Sequence, residues 1–356
     1  MSKLPSRVFT RRRLVQSGVA VAAVVPFLPK SLAAQQRQVV IYNWDSYIDP
    51  GSIPDFERQT GIRVRYDLFA SNAELFGRLR AGNPGYDVIF PTNDWVARMI
   101  AADMLAPLDH GRLSNLGNIG AKFMDAPHDP ERAFSVPYFW GTTGIGYRKS
   151  VVGQTPESWS TLFTDPTHAG RIALLNSDDT IYAALKYLGY SLNTTNQSEL
   201  DEAVELLIAA KPRIRTFAPD NGEDLLLAGE VDLCLEYNGD ILQVMEEDDD
   251  LSYVVPQEGG LLWEDDMCIA RGAPNVEEAH EFIDYILDAE NAARIAEYIL
   301  YPTPNEAALA LLPEEILNNP AIYPSEATMA KLEYARYQGE DVAKMYDDAL
   351  TRVLAA

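Results

Sequence analysis

The chain has 356 residues, of which 47% are hydrophobic and 23% are charged. This length is too great for one ordinary hydrophobic core, so we expect two lobes that are both folded. The 53 acidic residues outnumber the 29 basic ones and give a net charge of −24 at pH 7. Such a surface repels nucleic acids and anionic lipids and attracts cations, so we expect no nucleic-acid partner.

The first 34 residues differ in character from the rest. Three consecutive arginines (11–13) precede an apolar run (19–28) and a tail of small residues, SLAA. This order is typical of an export signal, and the arginines resemble a twin-arginine signal. An apolar run of about ten residues is shorter than the roughly 20 that a membrane-spanning helix needs. We therefore expect cleavage near Ala33 or Ala34 and a mature protein in the periplasm.

Removal of the signal takes away six basic residues and no acidic one, which leaves 23 basic and 53 acidic residues and a net charge of −30. No cysteine lies at the expected cleavage site, so we expect no lipid anchor. Cys234 and Cys268 both lie in apolar, strand-like runs, where buried thiols are common. Folding before export, in a reducing compartment, also favours free thiols, although a disulfide between the two stays open.

The mature chain alternates strand and helix signals, which predicts α/β structure. The predicted strands are VVIYNW, RVRYDLF, YDVIFPT, RIALLN, VDLCLEYNG and LSYVVP. Ser71 and Glu74 form a capping-box pattern that opens an amphipathic helix between the second and third strands. The C-terminal third is mostly helical in pattern, with a break at YPTPN (301–305).

The segment SVPYFWGTTGIGYR is rich in glycine and has no helical period, so it predicts an extended crossover between lobes. We expect a return crossover near LLWEDDMCIA, and two crossings make a hinge beside a cleft. The expected first lobe comprises residues 35–142 and about 265–310. The second comprises residues 143–264 and about 311–356.

Motifs of common enzymes are missing from the sequence. It contains no GxSxG, HExxH or GxxxxGK[ST] pattern, and GTTGIG lacks the strand and acidic residue that a dinucleotide site requires. The cysteines do not form a CxxC pair, and the histidines have no metal-ligand spacing. These histidines are His110, His128, His168 and His280. We expect no enzymatic activity, no cofactor and no metal.

Aromatic residues recur beside carboxylates where strands end. The four clusters are NWDSY (43–47), PTNDW (91–95), LEYNGD (235–240) and LWEDD (262–266). Each has an ordinary explanation on its own, since Asp94 and Asp178 suit helix N-caps and Trp44 and Trp263 suit a core. Together they predict a ligand site, because ligands of α/β folds bind beyond the carboxyl ends of strands. Carboxylates and aromatic faces suit an alkyl-ammonium ligand.

The LWEDD cluster carries a more specific expectation. Trp263 and Asp265 are two residues apart, so on a strand their side chains face the same side. We therefore expect Asp265 to be the main partner of an ammonium group. Asp266 points the other way and is expected to be a solvated or capping acid.

The stretches YNWDSYI, YDVIFPT, SVPYFWGTTGIGY, YLGYSLNTTN, EGGLLWEDDM and YPTPN resemble the spermidine/putrescine-binding proteins of bacterial polyamine ABC transporters. The resemblance covers essentially the whole mature chain. It implies a two-lobe periplasmic binding protein fold of type II, with hinge crossovers and a central ligand cleft. It also implies a polyamine ligand, putrescine or spermidine, and an inner-membrane ABC permease as partner. We expect a monomer.

The resemblance also implies which positions contact the ligand. They are Trp44, Asp45, Tyr47, Thr92, Asp94, Tyr237, Trp263, Asp265 and Tyr301. In NSDDT, one of Asp178 and Asp179 is expected to face the cleft. A distal contact is expected near Arg336 or Gln338.

Three positions depart from the family pattern. Asp45 stands where a relative would carry Thr or Ser, Asp94 where Tyr occurs, and Tyr237 where Trp is usual. The additional acid suggests a ligand with more amines or a different register.

Other functions were weighed against this one. A hydrolase using two of the carboxylates lacks a nucleophile or base. An amino-acid binder needs an arginine for the ligand carboxylate, and a ferric-ion binder needs a tyrosine pair; neither is evident. A binding protein or sensor for another cationic or small solute remains the alternative.

Overall fold

The computed structural model describes residues 36–356, and residues 37–356 form one compact unit. The predicted export signal lies outside the described residues. Within residues 36–356, no helix combines the length and the apolar character that crossing a membrane requires.

The described part of the chain is mixed α/β, as the alternating pattern predicts. The strands are β1 (Gln38–Asn43), β2 (Arg63–Leu68), β3 (Val88–Ile89), β4 (Leu105–Ala106), β5 (Ser135–Arg148), β6 (Ile172–Leu175), β7 (Ile214–Ala218), β8 (Leu233–Tyr237), β9 (Leu251–Val254), β10 (Leu261–Ala270) and β11 (Glu333–Tyr334). The helices are α1 (Ser52–Thr60), α2 (Asn72–Arg80), α3 (Asn93–Ala101), α4 (Ala121–Met124), α5 (Lys149–Val152), α6 (Ser160–Phe163), α7 (Asp178–Tyr187), α8 (Gln197–Ala210), α9 (Gly222–Leu227), α10 (Asn238–Met245), α11 (Val276–Leu287), α12 (Ala289–Ile299), α13 (Glu306–Leu309), α14 (Glu314–Leu317), α15 (Glu326–Met329) and α16 (Glu340–Ala355).

One sheet runs through the molecule in the order β2-β1-β3-β10-β5-β8-β6-β7. Strands β1, β2 and β3 are parallel to one another, and so are β6, β7 and β8. The long strands β10 and β5 are antiparallel partners at the centre. The carboxyl ends of two parallel strand sets therefore approach a common central region, where a ligand site is expected.

Strand β5 joins the two halves of the sheet. Its first part, residues 135–142, pairs with β10, and residues 143–148 pair with β8 and β9. The prediction of an extended crossover in this segment is confirmed. The return lies just before the predicted stretch: β9 pairs with the second part of β5 and β10 with the first, so the chain crosses back at residues 255–260.

Two large hydrophobic clusters lie at opposite ends of the sheet. The first contains Val39 and Ile41 of β1 together with Ile295 of α12. Residues 312–335, which the sequence allotted to the second lobe, supply Leu312, Ile316, Ile322 and Ala335 to this first cluster. The second contains side chains of β6, β8, α7 and α8, and helix α16 packs against α7 and α8 there.

Local signals in the sequence are largely confirmed. The Ser71 hydroxyl caps α2 by accepting a hydrogen bond from the N–H of Glu74 at 3.1 Å. The Glu74 carboxylate departs from the capping-box pattern, because it accepts from the N–H of Ala70 instead of that of Ser71. Both cysteines are free and buried. Strand β7 was not predicted.

Candidate ligand-binding site

All eleven residues predicted for the site line a single cavity of about 230 Å³. They are Trp44, Asp45, Tyr47, Thr92, Asp94, Asp178, Asp179, Tyr237, Trp263, Asp265 and Tyr301. The cavity lies where the two halves of the sheet meet, and residues from both halves line it. The sequence predicted that one of Asp178 and Asp179 faces the cleft, and in the structure both line the cavity.

The turn after β1 supplies three of these residues. The Trp44 indole N–H donates to the backbone oxygen of Phe90 at 2.9 Å, which fixes the ring beside the end of β3. Tyr47 is buried, and its backbone oxygen accepts a hydrogen bond from the Tyr138 hydroxyl at 2.7 Å. Asp45 lies between them and is exposed at the rim. The turn therefore presents two fixed rings and one exposed carboxylate, whose Oδ1 accepts a hydrogen bond from the N–H of Ser46 at 2.8 Å.

Four aromatic rings form a continuous wall. Ring centroids are 5.3 Å apart for Tyr47 and Tyr301, 5.2 Å for Tyr301 and Trp263, and 5.7 Å for Trp263 and Tyr237. All three contacts are edge-to-face, the arrangement that aromatic quadrupoles favour. The wall offers ring faces and edges along which a methylene chain or a cation can pack.

Two glycines allow the rings to sit against the backbone. A Cβ atom at Gly239 would lie 2.3 Å from the Tyr301 ring, and one at Gly141 would lie 2.4 Å from the Trp263 ring. Both distances are far inside van der Waals contact, so any other residue would displace the aromatic wall. The glycines are thus part of how the chain shapes the cavity.

Polar atoms of the wall lack partners. The Tyr47 hydroxyl and the Trp263 indole N–H are buried and form no hydrogen bond with any described residue. The Tyr47 hydroxyl is close to Asp265 without meeting hydrogen-bond geometry. Buried polar groups are normally paired, so these atoms indicate a place where a ligand or solvent completes the bonding.

Four aspartates lie in the first turn of a helix that directly follows a strand. Asp94 is the second residue of α3, which follows β3. Asp178 and Asp179 are the first two residues of α7, which follows β6, and Asp240 is the third residue of α10, which follows β8. The first turn of a helix stabilises negative charge through its free N–H groups and dipole. The fold can therefore collect several carboxylates in one place, at strand ends that face each other.

Asp265 reaches the cavity from the middle of β10. The Thr92 hydroxyl donates a hydrogen bond to its Oδ1 at 2.7 Å, and the amide of Asn72 donates to the Thr92 hydroxyl at 2.8 Å. Burial raises the pKa of Asp265 well above its ordinary value. Hydrogen bonds hold the carboxyl group in place, and it forms no salt bridge with any described residue.

Asp179 is similarly held from the other half of the sheet. It accepts hydrogen bonds from Ser177 at 2.6 Å, Thr143 at 3.2 Å and Tyr237 at 3.3 Å. Burial raises its pKa, although these donors oppose the rise. Tyr237, which the family pattern has as Trp, thus supplies a hydroxyl that orients a carboxylate.

Further acids crowd the same region. Carboxylate oxygens of Asp220, Glu236 and Asp240 lie within 4.8 Å of one another. Glu236 is fully buried and accepts from the backbone N–H groups of Gly222 and Tyr237, both at 3.0 Å. Asp220 and Asp240 line the cavity itself. Like charges at this spacing cannot all be ionised without a cation.

Acid titration reflects this crowding. Burial, followed by neighbouring carboxylates, raises the pKa of Asp94 to about 6 and the pKa values of Asp178 and Asp220 to about 8. Eight aspartates line the cavity, and no lysine or arginine is found among its lining residues in the described chain. The site is therefore built to receive positive charge from outside.

Among the acids and tyrosines that line the cavity, sequence reasoning missed three and left a fourth out of the predicted set. Asp220, Tyr182 and Asp347 were not singled out, and Asp240 was noted only as part of a cluster. Asp220 follows β7, so recognising that strand would have placed it at a carboxyl end. Asp347 comes from α16, and nothing near it in sequence marks it as a site residue.

The expected distal contact lies next to the main cavity, not in it. Arg336 and Gln338 line an adjoining cavity of about 40 Å³ that shares Asp94 and Asp178 with the main one. The Gln338 amide donates to the backbone oxygen of Asn193 at 2.8 Å. Both side chains are exposed, so neither closes the main cavity.

The expectation that Asp266 is a solvated or capping acid is wrong. Asp266 is fully buried, and its oxygens bind Arg132 at 2.8 Å and His128 at 2.9 Å. Arg132 is also fully buried and bonds Glu264 at 2.5 Å. Although burial acts against it, these cations hold the pKa of Asp266 below its ordinary value. Asp266 belongs to a structural ion network behind β10, and only Asp265 faces the cavity.

Comparisons with known proteins agree with the geometry. A family model described as bacterial extracellular solute-binding protein matches residues 52–324. The spermidine/putrescine-binding periplasmic protein of Salmonella typhimurium is 32% identical over 340 residues, covering 95% of this chain and 97% of that protein. The putrescine-binding periplasmic protein PotF of Escherichia coli is 32% identical over 358 residues, covering 95% and 96%. The structure of the spermidine/putrescine ABC transporter substrate-binding protein PotD of Streptococcus pneumoniae matches with a TM-score of 0.76 at 35% identity, covering 90% of this chain and 99% of that one. This chain belongs to the bacterial extracellular solute-binding proteins and, within them, to the family of the spermidine/putrescine-binding periplasmic proteins.

Proposed function

We propose that this protein captures a linear polyamine, putrescine or spermidine, in the periplasm and delivers it to an inner-membrane ABC permease. The observation that carries the proposal is the charge of the cavity: eight aspartates and an aromatic wall with no basic side chain among the lining residues. Carboxylates bind ammonium groups through charge-assisted hydrogen bonds, and the rings pack the methylene chain between them. The family relationship supports the same ligand class.

We assign the eleven predicted residues, together with Asp220 and Asp240, to the ligand. Asp265 and Asp94 hold an ammonium group from the side of β3 and β10. Asp178, Asp179 and the pair Asp220 and Asp240 hold positive charge from the side of β6 and β8. Because acids surround the cavity on both sides, a ligand with at least two separated amines satisfies it best.

The affinity that we expect follows from these contacts. Two or three charge-assisted hydrogen bonds contribute about 1.5 to 3 kcal/mol each. With aromatic packing, and after the costs of association, they reach the roughly 8 kcal/mol that corresponds to micromolar affinity.

The proposal includes movement of two lobes. Residues 135–148 and 255–260 connect the halves of the sheet, and they serve as the hinge. Hinge closure around a ligand would bring the carboxylates of the two halves together on it. Small-angle scattering tests this part, since ligand should reduce the radius of gyration; identical curves with and without spermidine would contradict closure.

The protein acts as a carrier without catalysis in this proposal. The family and its relatives are solute-binding transport proteins, and the cavity holds acids that lack a paired nucleophile. We infer that it works as a monomer. A transport role requires delivery of the ligand to a permease, whereas a sensing role does not. If the protein serves transport, cells that lack it should take up less labelled polyamine than cells that contain it; equal uptake would favour a sensing role.

Titration calorimetry of the mature protein tests the ligand. Putrescine and spermidine should release or absorb heat with one-to-one stoichiometry. Arginine, which adds a carboxylate to a cation, and 1,4-butanediol, which has the chain length of putrescine without its charge, should give no saturable heat. Binding of neither polyamine would refute the proposal, and tight binding of arginine would favour the alternative of another cationic solute.

A further inference from the structure

A second, larger cavity lies behind β10. Its volume is about 410 Å³, and it is separated from the polyamine cleft by the strand itself. Alternate residues of β10 face the two cavities: Trp263 and Asp265 line the cleft, whereas Leu262 and Glu264 line the cavity behind it. The two spaces therefore share a wall without sharing its side chains.

Aromatic and apolar groups dominate the rear cavity. Phe123, Trp140, Leu262, Met329 and Tyr334 line it. The rings of Phe123 and Trp140 are tilted at 40° with centroids 6.3 Å apart. Such a lining suits the flat body of a small aromatic molecule.

Two of the charged groups that line this cavity, Lys122 and Arg336, are cations without a paired acid among the described residues. Lys122 Nζ lies 5.6 Å from the centre of the Trp140 ring and 4.7 Å from that of Phe123. Within the described chain, neither Lys122 nor Arg336 has an acidic side chain within salt-bridge distance.

One of the two acids that line the rear cavity is already paired with cations of the protein. Glu264 belongs to the buried ion network: it lies 2.5 Å from Arg132 and 3.7 Å from His128, both of which also pair with Asp266, so its charge is compensated inside the protein. Asp125 is the remaining carboxylate of the lining, and it is exposed. Two free cations against one solvated carboxylate favour an anion, in contrast to the cleft on the other side of β10.

We propose that the rear cavity is a second ligand site, which takes a small aromatic monocarboxylate. The aromatic body packs against Phe123, Trp140 and Tyr334. The carboxylate accepts hydrogen bonds from the Lys122 ammonium group, with which no acidic side chain of the described residues pairs. An amine is excluded, because Arg132 and His128 together compensate Glu264 and Asp266, and Lys122 repels positive charge.

The two sites can be filled at the same time. Besides β10, they are separated by Asn93 and Ala335, which line both spaces. The Asn93 amide donates to the backbone oxygen of Ala335 at 2.7 Å, and both residues are buried. This contact closes the gap between the cavities, so an acid in the rear cavity does not overlap a polyamine in the cleft.

Calorimetry with 3-phenylpropionate tests the proposal, using the mature protein with and without saturating spermidine. Saturable heat should appear at millimolar concentrations in both cases, and neutral 3-phenylpropanamide should bind at least about fivefold more weakly. Absence of heat with the carboxylate would overturn the proposal. Loss of the heat when spermidine is present would also overturn it, because the acid would then be occupying the cleft.

Variants locate the site. Lys122→Met keeps the length of an exposed side chain and should weaken 3-phenylpropionate binding at least about fivefold. Lys344→Met removes the same charge from the exposed surface of α16, outside both cavities, and should leave the affinity unchanged. Equal weakening by the two variants would show a general charge effect and refute the site. Failure of spermidine to bind would refute the proposed transport ligand and leave these outcomes readable.

Discussion

The Thr92 hydroxyl donates its only proton to Oδ1 of Asp265, at 2.7 Å, because its oxygen already accepts from the Asn72 amide at 2.8 Å. This chain of donors fixes which end of Asp265 must accept a hydrogen bond. The other carboxylate oxygen is left for the ligand. The arrangement converts a buried acid into an oriented receptor for an ammonium group.

Asp265→Asn should weaken polyamine binding by about 2 to 4 kcal/mol, or roughly 30- to 1,000-fold. The asparagine oxygen takes the Thr92 hydrogen bond, so its NH₂ group, itself a donor, faces the ammonium. Titration calorimetry measures the loss. Asp249→Asn removes the same charge from an exposed loop and should cost well under about 1 kcal/mol. Similar affinities for the two variants would show that Asp265 does not hold the amine.

Asp266→Asn should act on the fold instead of the ligand. It leaves the fully buried Arg132 with one uncompensated contact, and breaking a buried ion pair from one side costs about 3 to 5 kcal/mol. Urea unfolding followed by circular dichroism measures the loss, with exposed Glu247→Gln as the control for charge. A variant as stable as the control would mean that the network does not contribute to stability.

Stability of the ligand-free protein should fall as the pH rises from about 5 to 8. Burial raises the folded-state pKa of Asp94 to about 6 and those of Asp178 and Asp220 to about 8, all above the unfolded value near 4. Between these values the folded state binds more protons than the unfolded state, so the stability that these groups contribute is complete below the unfolded pKa and is lost as pH rises through the folded pKa.

Thermal melts in a pH series measure this dependence. Asp178→Asn removes one of the titrating groups and should flatten the slope between pH 6 and 8, and saturating spermidine should flatten it further by compensating the ionised acids. A ligand-free melting temperature that rises from pH 5.5 to 8 would contradict the assignment of neutral acids to the empty cavity.

The residues that line the cavity were easier to predict from the sequence than the partners that decide the state of each acid. The alternation of strands and helices placed Trp44, Asp94 and Asp178 at strand ends. Local sequence patterns are sufficient to predict such positions. Asp220 was missed because β7, with Arg213 and Arg215 around its first residue, lacks an apolar run. Asp266 was misjudged because its partner Arg132 is 134 residues away in sequence. Partners brought together only by the fold decide whether an acid is solvated, ligand-facing or structural.

Arg98 links the two ends of the molecule beside the cavity. It lies on α3, and its guanidinium binds Glu340 at 3.0 Å and Asp347 at 3.6 Å, both on α16. The same group lies 4.8 Å from the ring centres of Phe76 and Trp95. Helix α16 packs on α7 and α8, so this contact spans the two sides of the proposed hinge, and we expect it to hold them together.

Arg98→Met should therefore speed release of the ligand by about three- to tenfold, with little change in the association rate, because the ion pair forms only when the sides approach. The methionine retains the apolar stem that packs on the rings. Stopped-flow fluorescence measures both rates. Arg352→Met is the matched control, since it removes an ion pair with Asp201 between α16 and α8, on one side of the hinge. Equal dissociation rates for Arg98→Met and Arg352→Met would show that the Arg98 contact does not hold the cleft closed.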